Sequence, residues 1–350
     1  MRRADTLIVG GGIIGACILR RLTEAGHRCV LVEQRRAGLG ATGYSGAMVR
    51  LAHPVPKAVA AAGAGLRAYS QIESETGGRL ALQRCGHLYF GAPAQLQDIL
   101  TSVQAVSPTA RLMTAQQIAE RFGGMHVLAE AAIFEPEAGY ADPVAFTRYQ
   151  VAQAVQGGAI LCEATTMQHL LVSGGRITGA ATSGGEISAA QVVLASGAHT
   201  PAILAAYGLT DPELWAQHIQ VGQFQLGRGT GGWPGFVDDG QSLNGLPGPG
   251  PRQYFLGLPT GQHADPVACR PACPDHAART LEAASRRLPF AEHAQPAGAL
   301  CHPDCYGHDP IGAIGPVAGG PEGLYLATGF SGGGFKMAPY AADCIHQHLC

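Results

Sequence analysis

Short apolar runs alternate with glycine-rich polar breaks along the chain, and their lengths predict the elements. Thr6-Leu-Ile-Val9 has the length and character of a buried strand, Ile13 to Glu24 reads as a helix, and Cys29 to Glu33 reads as a second strand. Gly26 ends the helix between them, so residues 5–33 form one βαβ unit. Asp142-Pro143 starts a second clear helix that runs through Val155 and stops at Gly157-Gly158. Four short runs follow, Ala159–Cys162, His169–Val172, Ile177–Thr182 and Gln191–Ala195, which read as a β-meander returning to a buried strand. The Gly- and Pro-rich stretch 229–251 reads as a long loop between strands at Ile219–Leu226 and Gln253–Gly257. Residues 276–288 read as helix; a strand at Leu324–Ala327 and a helix from Phe335 to His348 close the chain.

The first unit carries the first chemical signal. Gly10-Gly-Gly12-Ile13-Ile14-Gly15 follows a strand and opens a helix, the context in which G-x-G-x-x-G marks a dinucleotide site. Gly10 permits the tight turn, Gly12 lets the backbone approach a pyrophosphate, and Gly15 lets helix and strand pack closely. Glu33 lies 23 residues after Gly10 at the end of the second strand, placed to accept hydrogen bonds from ribose hydroxyls and to repel a 2′-phosphate.

Composition narrows the rest. At 350 residues the chain exceeds the roughly 250–300 that one core usually holds, so two domains are expected. With 23 Lys+Arg against 25 Asp+Glu, and only 14% charged residues, neither a nucleic acid nor a polybasic membrane surface is an expected partner. The apolar run Leu7–Leu19 is shorter than the ~20 residues of a membrane span. Asp5 interrupts the resemblance of Arg2-Arg3 and that run to a signal peptide, and ten cysteines are too sparse for a disulfide scaffold. A cytoplasmic protein with reduced thiols is the expectation.

Further motifs extend over nearly the whole chain: Gly40-Ala-Thr42-Gly-Tyr-Ser45-Gly46, Met48-Val-Arg50, Glu137-Ala-Gly-Tyr140-Ala-Asp142-Pro143, Val192-Val-Leu-Ala195-Ser-Gly197-Ala198, and Ala327-Thr-Gly329-Phe330-Ser331-Gly-Gly-Gly334-Phe335-Lys336. Together they resemble the FAD-dependent family of amino-acid and amine oxidases that includes D-amino-acid oxidase, glycine oxidase and monomeric sarcosine oxidase. The resemblance implies that FAD is held by Gly10, Gly12, Ile13, Ile14, Gly15, Glu33 and Gln34, then by Thr42, Ser45, Gly46 and Met48. Met167, Ala195 and Gly197 follow in the middle of the chain, and Gly329, Ser331, Gly332, Gly333, Gly334, Phe335 and Lys336 at its end. It implies further that Arg50 and Lys336 hold a substrate carboxylate and that Tyr254, in Gln253-Tyr-Phe-Leu-Gly-Leu-Pro259, faces the substrate. His87 and Trp233 are weaker pocket candidates. Gly333 stands where sarcosine oxidases carry a histidine, and His263, Asp265 and Arg270 fill the region of that branch's oxygen-activating lysine.

Cys301-His302-Pro-Asp-Cys305 lies near the place where sarcosine oxidases attach their flavin through a cysteine. A thioether from Cys301, with Cys305 as second choice, stands beside a structural thiol as the alternative. Four thiolates, Cys269, Cys273, Cys301 and Cys305, are an alternative zinc set, but no metal is the expectation.

The expected fold is α/β: a Rossmann-like FAD-binding domain assembled from residues 1–80, 138–212 and 296–350, with 81–137 and 213–295 forming a smaller α+β substrate domain around a mixed sheet. The expected activity is oxidation of the C–N bond of a small amino acid or N-substituted amino acid, with O2 or another electron acceptor. A protein-bound or natural-product intermediate as substrate, and a flavin-binding protein without catalysis, are the alternatives.

Overall fold

The structure, a computed structural model, describes residues 2–123, 125–210, 213–266 and 270–350. Two eight-stranded sheets organise the chain. The first contains β1 (Arg2–Val9), β2 (Cys29–Val32), β8 (Ile160–Cys162), β9 (Met167–Ser173), β10 (Arg176–Thr182), β11 (Gly185–Leu194), β17 (Ala313–Pro316) and β18 (Leu324–Thr328). Its central strands run in the order β18-β11-β1-β2-β8, all parallel, with β17 antiparallel on one edge and the β9–β11 meander attached. Strands covered on both faces need continuous apolar runs, and Leu7, Ile8, Val30, Leu31, Val192 and Val193 meet that need.

The second sheet has the order β16-β12-β15-β14-β13-β4-β6-β5. These strands are β4 (His87–Phe90), β5 (Arg111–Thr114), β6 (Ala131–Glu135), β12 (Leu214–Gln225), β13 (Gly235–Asp238), β14 (Leu243–Pro247), β15 (Gln253–Gly257) and β16 (Gln295–Gly307). All neighbours are antiparallel except β4 and β13. A small ribbon of β3 (Met48–Val49) and β7 (Gly139–Tyr140) lies outside both sheets.

Two expectations change here. The stretch 229–251 is not one long loop, because Phe236 and Leu243 anchor β13 and β14 in the second core; residues 239–242 turn between them, and Gly248-Pro-Gly-Pro251 turns from β14 into β15. The expected boundary at 296 falls inside β16, which pairs with β12 along its length; the chain rejoins the first sheet only at β17.

The helices are α1 (Ile13–Glu24), α2 (Pro56–Glu75), α3 (Pro93–Gln104), α4 (Ala115–Arg121), α5 (Pro143–Gln156), α6 (Thr200–Ala205), α7 (Pro274–Ser285) and α8 (Gly334–Leu349). The start of α8 is fixed by α2. Pro339 has no N–H to give the carbonyl of Phe335 one turn back, and the Tyr69 hydroxyl donates to that carbonyl instead at 2.6 Å. The Tyr69 and Phe335 rings stack at 4.7 Å, and a Cβ on Gly65 would lie 1.8 Å from the Lys336 carbonyl oxygen, so only glycine allows α2 this close. No helix among the described residues is long and apolar enough to cross a membrane.

Candidate active site

One cavity of about 1440 Å³ runs from the end of β2 to the start of α8, larger than the roughly 300–1,000 Å³ of ordinary small-molecule sites and suited to an extended dinucleotide with a substrate beside it. Every cofactor or catalytic position read from the sequence lines it except Gly15, Tyr254 and Cys301.

At one end, the glycines do steric work that can be measured. A Cβ on Gly10, whose φ is +109°, would sit 2.4 Å from the Ala195 carbonyl oxygen. One on Gly15 would sit 2.0 Å from the Gly10 carbonyl oxygen, so Gly15 acts through helix–strand packing rather than by touching a ligand. The first amides of a helix have no intrahelical acceptor. The Ile13 amide donates to Thr42 Oγ1 at 3.1 Å, while Gly12 and Ile14 line the cavity at the positive end of α1. Glu33 Oε2 accepts from the Gly11 amide and Oε1 from the Arg35 amide, both at 2.8 Å, which fixes the carboxylate and leaves lone pairs on each oxygen for ribose hydroxyls. The crowding at Gly10 and Gly15, the anion-ready helix end and the anchored acid together fit FAD.

At the other end, the unusual feature is buried charge. Arg50 and Lys336 reach one cavity from opposite ends of the chain, and Lys336 is only 6% exposed. Burial, then the Arg50 charge, holds the Lys336 ammonium well below the usual lysine range. Behind Arg50 stands Glu135, which accepts from the Leu51 amide at 2.6 Å and the Ala52 amide at 3.1 Å. Burial pushes the Glu135 carboxyl up, but His87 at 3.7 Å and these two amides outweigh it and keep the group low. Arg50 itself donates to the Ala52 carbonyl, so Glu135 and the arginine grip the same short segment from both sides. His53 lines the same region; burial, then Lys336 and Arg50, push it down to about 4.

The wall opposite is β16. Alternation along this strand buries Cys301, Pro303 and Cys305 and leaves Leu300, His302, Asp304 and Tyr306 partly accessible, and all of these but Cys301 line the cavity. Cys301, the first choice for a flavin thioether, does not line the cavity, whereas Cys305, the second choice, does. His302 packs against Tyr44 at 4.7 Å between ring centres. Neither His302 nor Asp304 was singled out in the sequence, where the thiols on either side of them drew the reading.

Three other candidates belong elsewhere. Tyr254 is fully buried, donates to the Pro234 carbonyl at 2.6 Å and packs with Phe236, Trp233 and Phe290 in the second core. Trp233 is held there too, against Phe290 and under Arg228. His87 is buried behind Glu135. In the alternative zinc set, Cys269 lies outside the described residues, and Cys273 is exposed while Cys301 and Cys305 are buried in the sheet. Among the described residues, three or more His, Cys, Asp or Glu side chains nowhere come together as a metal site.

Comparison with known proteins agrees with this geometry. Residues 5–347 match the family described as "FAD dependent oxidoreductase". The chain is 29% identical over 222 residues to 4-methylaminobutanoate oxidase (formaldehyde-forming) of Paenarthrobacter nicotinovorans, covering 62% of this chain and 27% of that protein. It is 24% identical over 225 residues to human mitochondrial dimethylglycine dehydrogenase, covering 63% and 26%. The chain thus spans about a quarter of the length of these curated relatives. Among solved structures, L-proline dehydrogenase from P. horikoshii superposes with a TM-score of 0.86 at 21% identity over 99% of this chain and 93% of that one. Glycine oxidase from Geobacillus kaustophilus gives 0.79 at 20% identity over 100% and 95%. By a family match over almost its whole length, the chain belongs to the FAD-dependent oxidoreductases.

Proposed function

We propose that the protein oxidises the C–N bond of a small amino acid or N-substituted amino acid. The observation that carries this reading is the convergence of half-buried Arg50 and buried Lys336 in one cavity, with the buried carboxylate of Glu135 behind them. Arg50 and burial press Lys336 toward its neutral form despite Glu135, and a substrate carboxylate supplies the counter-charge that lets both side chains be cationic. The planar Arg50 fork fixes the orientation of that carboxylate, and Lys336 regains its proton more readily once the anion is seated.

FAD supplies the two-electron acceptor. Gly10, Gly12, Thr42 and Glu33 would hold its adenosine and pyrophosphate end. The amides at the start of α8, placed by Gly65 and Tyr69, would face the electron-poor edge of the ring system, where helix N–H groups stabilise added negative charge. Above pH 5 His53 stays neutral, so it offers the site polarity without a third positive charge. The names of the relatives and structural neighbours, which include oxidases and dehydrogenases of glycine, proline and methylated amino acids, support the same class of substrate. They do not select between oxygen and another acceptor.

The test is anaerobic mixing of the FAD-loaded protein with glycine, sarcosine, dimethylglycine and proline, together with the corresponding amines that lack the carboxylate. Loss of oxidised-flavin absorbance with amino acids but not with the simple amines is the expected result. Equal reduction by the decarboxylated amines, or no reduction by any amine, overturns the proposal. Peroxide release on readmission of air then distinguishes an oxidase from a dehydrogenase.

A further inference from the structure

Among the described residues, two acidic side chains line the cavity, Glu33 and Asp304. Glu33 belongs to the adenosine end, where two backbone amides hold it. Asp304 has no part in that end: it stands on β16, and its carboxylate takes the amide of Cys305 at 2.8 Å and is supported by the amide of Gly332. Gly332 begins the short turn that leads into α8, and a Cβ on Gly333 would lie 3.6 Å from Cε of Lys336. Asp304 and Lys336 therefore flank the same glycine turn, one supplying negative charge and the other positive. A cavity with both signs of charge on two sides of one turn is complementary to a molecule that carries both, as an amino acid does.

We propose that Asp304 is the group that receives the substrate amine, accepting its hydrogen bond and, when the amine arrives as an ammonium, its proton. This deepens the amino-acid reading above and rests on it. The step balances without any further reagent: one N–H bond of the ammonium breaks, its proton passes to an Asp304 oxygen, and the nitrogen keeps the electron pair that it needs for oxidation. The carboxylate returns its proton to solvent after product leaves.

The surroundings suit a proton acceptor. Burial pushes the Asp304 carboxyl up to about 6, against the opposing help of the Cys305 and Gly332 amides, near the pH at which an acceptor works best. On its own strand the nearest titratable groups facing the cavity are His302, which burial pushes down, and Tyr306, which burial and the Asp304 charge push up. Across the sheet β12 presents Gln217 opposite Asp304. The short turns packed on β16 bring Tyr44 and His199, the latter also pushed down by burial, and β18 ends in Thr328. Near neutral pH these neighbours are uncharged; the cations on adjoining elements are Arg35, 3.4 Å from His302, and Lys336 beyond the glycine turn, and the ionisation of Asp304 is set by its burial, the opposing Cys305 and Gly332 amides and the arriving amine.

The test uses the FAD-loaded wild type, Asp304→Asn and Asp304→Glu. Two quantities are read: kcat/KM for the amino acid that reduces the wild type fastest, as a function of pH, and the affinity for methoxyacetate, which keeps a carboxylate but has an ether oxygen in place of the amine of sarcosine. In the wild type, kcat/KM should rise as pH passes through about 6. Asp304→Asn should lose that limb and about 100-fold in kcat/KM, with methoxyacetate affinity changed less than threefold. Asp304→Glu should keep the limb. If Asp304→Asn stays within threefold of wild type, if the limb persists in it or is absent from Asp304→Glu, or if methoxyacetate affinity falls in parallel with activity, the proposal is overturned. Failure of every amino acid to reduce the wild type is a separate result, and it removes the amino-acid reading itself.

Discussion

Replacing Glu135 by Gln tests the charge balance from which the function was argued. The side chain is 2% exposed and accepts two backbone amides, at 2.6 and 3.1 Å, from the residues that follow Arg50. Glutamine fills nearly the same volume but has one acceptor oxygen, so one buried amide loses its partner at a cost of about 1–3 kcal/mol. The larger loss is electrostatic. Leaving a buried charge without its counter-charge costs about 3–5 kcal/mol, and the cations whose field Glu135 offsets are Arg50 and Lys336. Lys336 limits this loss, because it relieves repulsion by giving up its proton, a change that its surroundings already favour. A net destabilisation of about 3–5 kcal/mol follows, which for a chain of this length corresponds to a fall of about 4–7 °C in melting temperature. The assay is thermal unfolding of FAD-loaded wild type and variant at one scan rate and one flavin concentration. A fall of less than about 2 °C would show that Glu135 is not the counter-charge of the site.

Three further outcomes follow from geometry. Tyr69→Phe keeps the ring stack but strands the Phe335 carbonyl that Pro339 cannot serve, so unfolding should cost about 1–3 kcal/mol less, read in urea or heat. Gly15→Ala drives a methyl group to 2.0 Å from the Gly10 carbonyl oxygen, and the purified variant should be colourless and take up FAD poorly on reconstitution. The Asp304 carboxyl ionises near 6 when folded against an ordinary 3.8, so the folded chain binds more protons between those values and stability should fall as pH rises from 4 to 6. Asp304→Asn should remove this slope, worth at most about 3 kcal/mol, and a slope unchanged in the variant would refute the assignment.

Much of the adenosine end was legible in the sequence because its signals are local. The strand, the three glycines, the helix and Glu33 fall within one βαβ unit, and the structure places them with the spacing that the motif implies. Arg50 and Lys336 were readable only through the surrounding motifs, since nothing about either residue alone shows that positions 286 apart in the chain share a cavity. Two strand positions were misplaced. No residue of β15 lines the cavity, so Tyr254 sits on a strand away from it, and Cys301 is buried between the cavity-lining Leu300 and His302. Glu135 was invisible for a different reason: it ends an apolar run, Ala131 to Phe134, and only the folded chain brings the Leu51 and Ala52 amides to it.

The two helices whose beginnings line the cavity lie side by side. Ile14 approaches Gly334 near their starts, Arg21 pairs with Asp343 at 2.8 Å midway, and His27 meets Cys350 at 2.9 Å near their ends, so α1 and α8 point the same way. Their partial positive poles thus converge, an arrangement that repels itself until something negative lies across both. A doubly charged phosphate bridge and a ring edge that gains negative charge on reduction would be such a load, and the cofactor would then act as a clasp between helices at opposite ends of the chain. Stripped of it, the protein should loosen first at this seam, with amide exchange in the opening turns of both helices rising together.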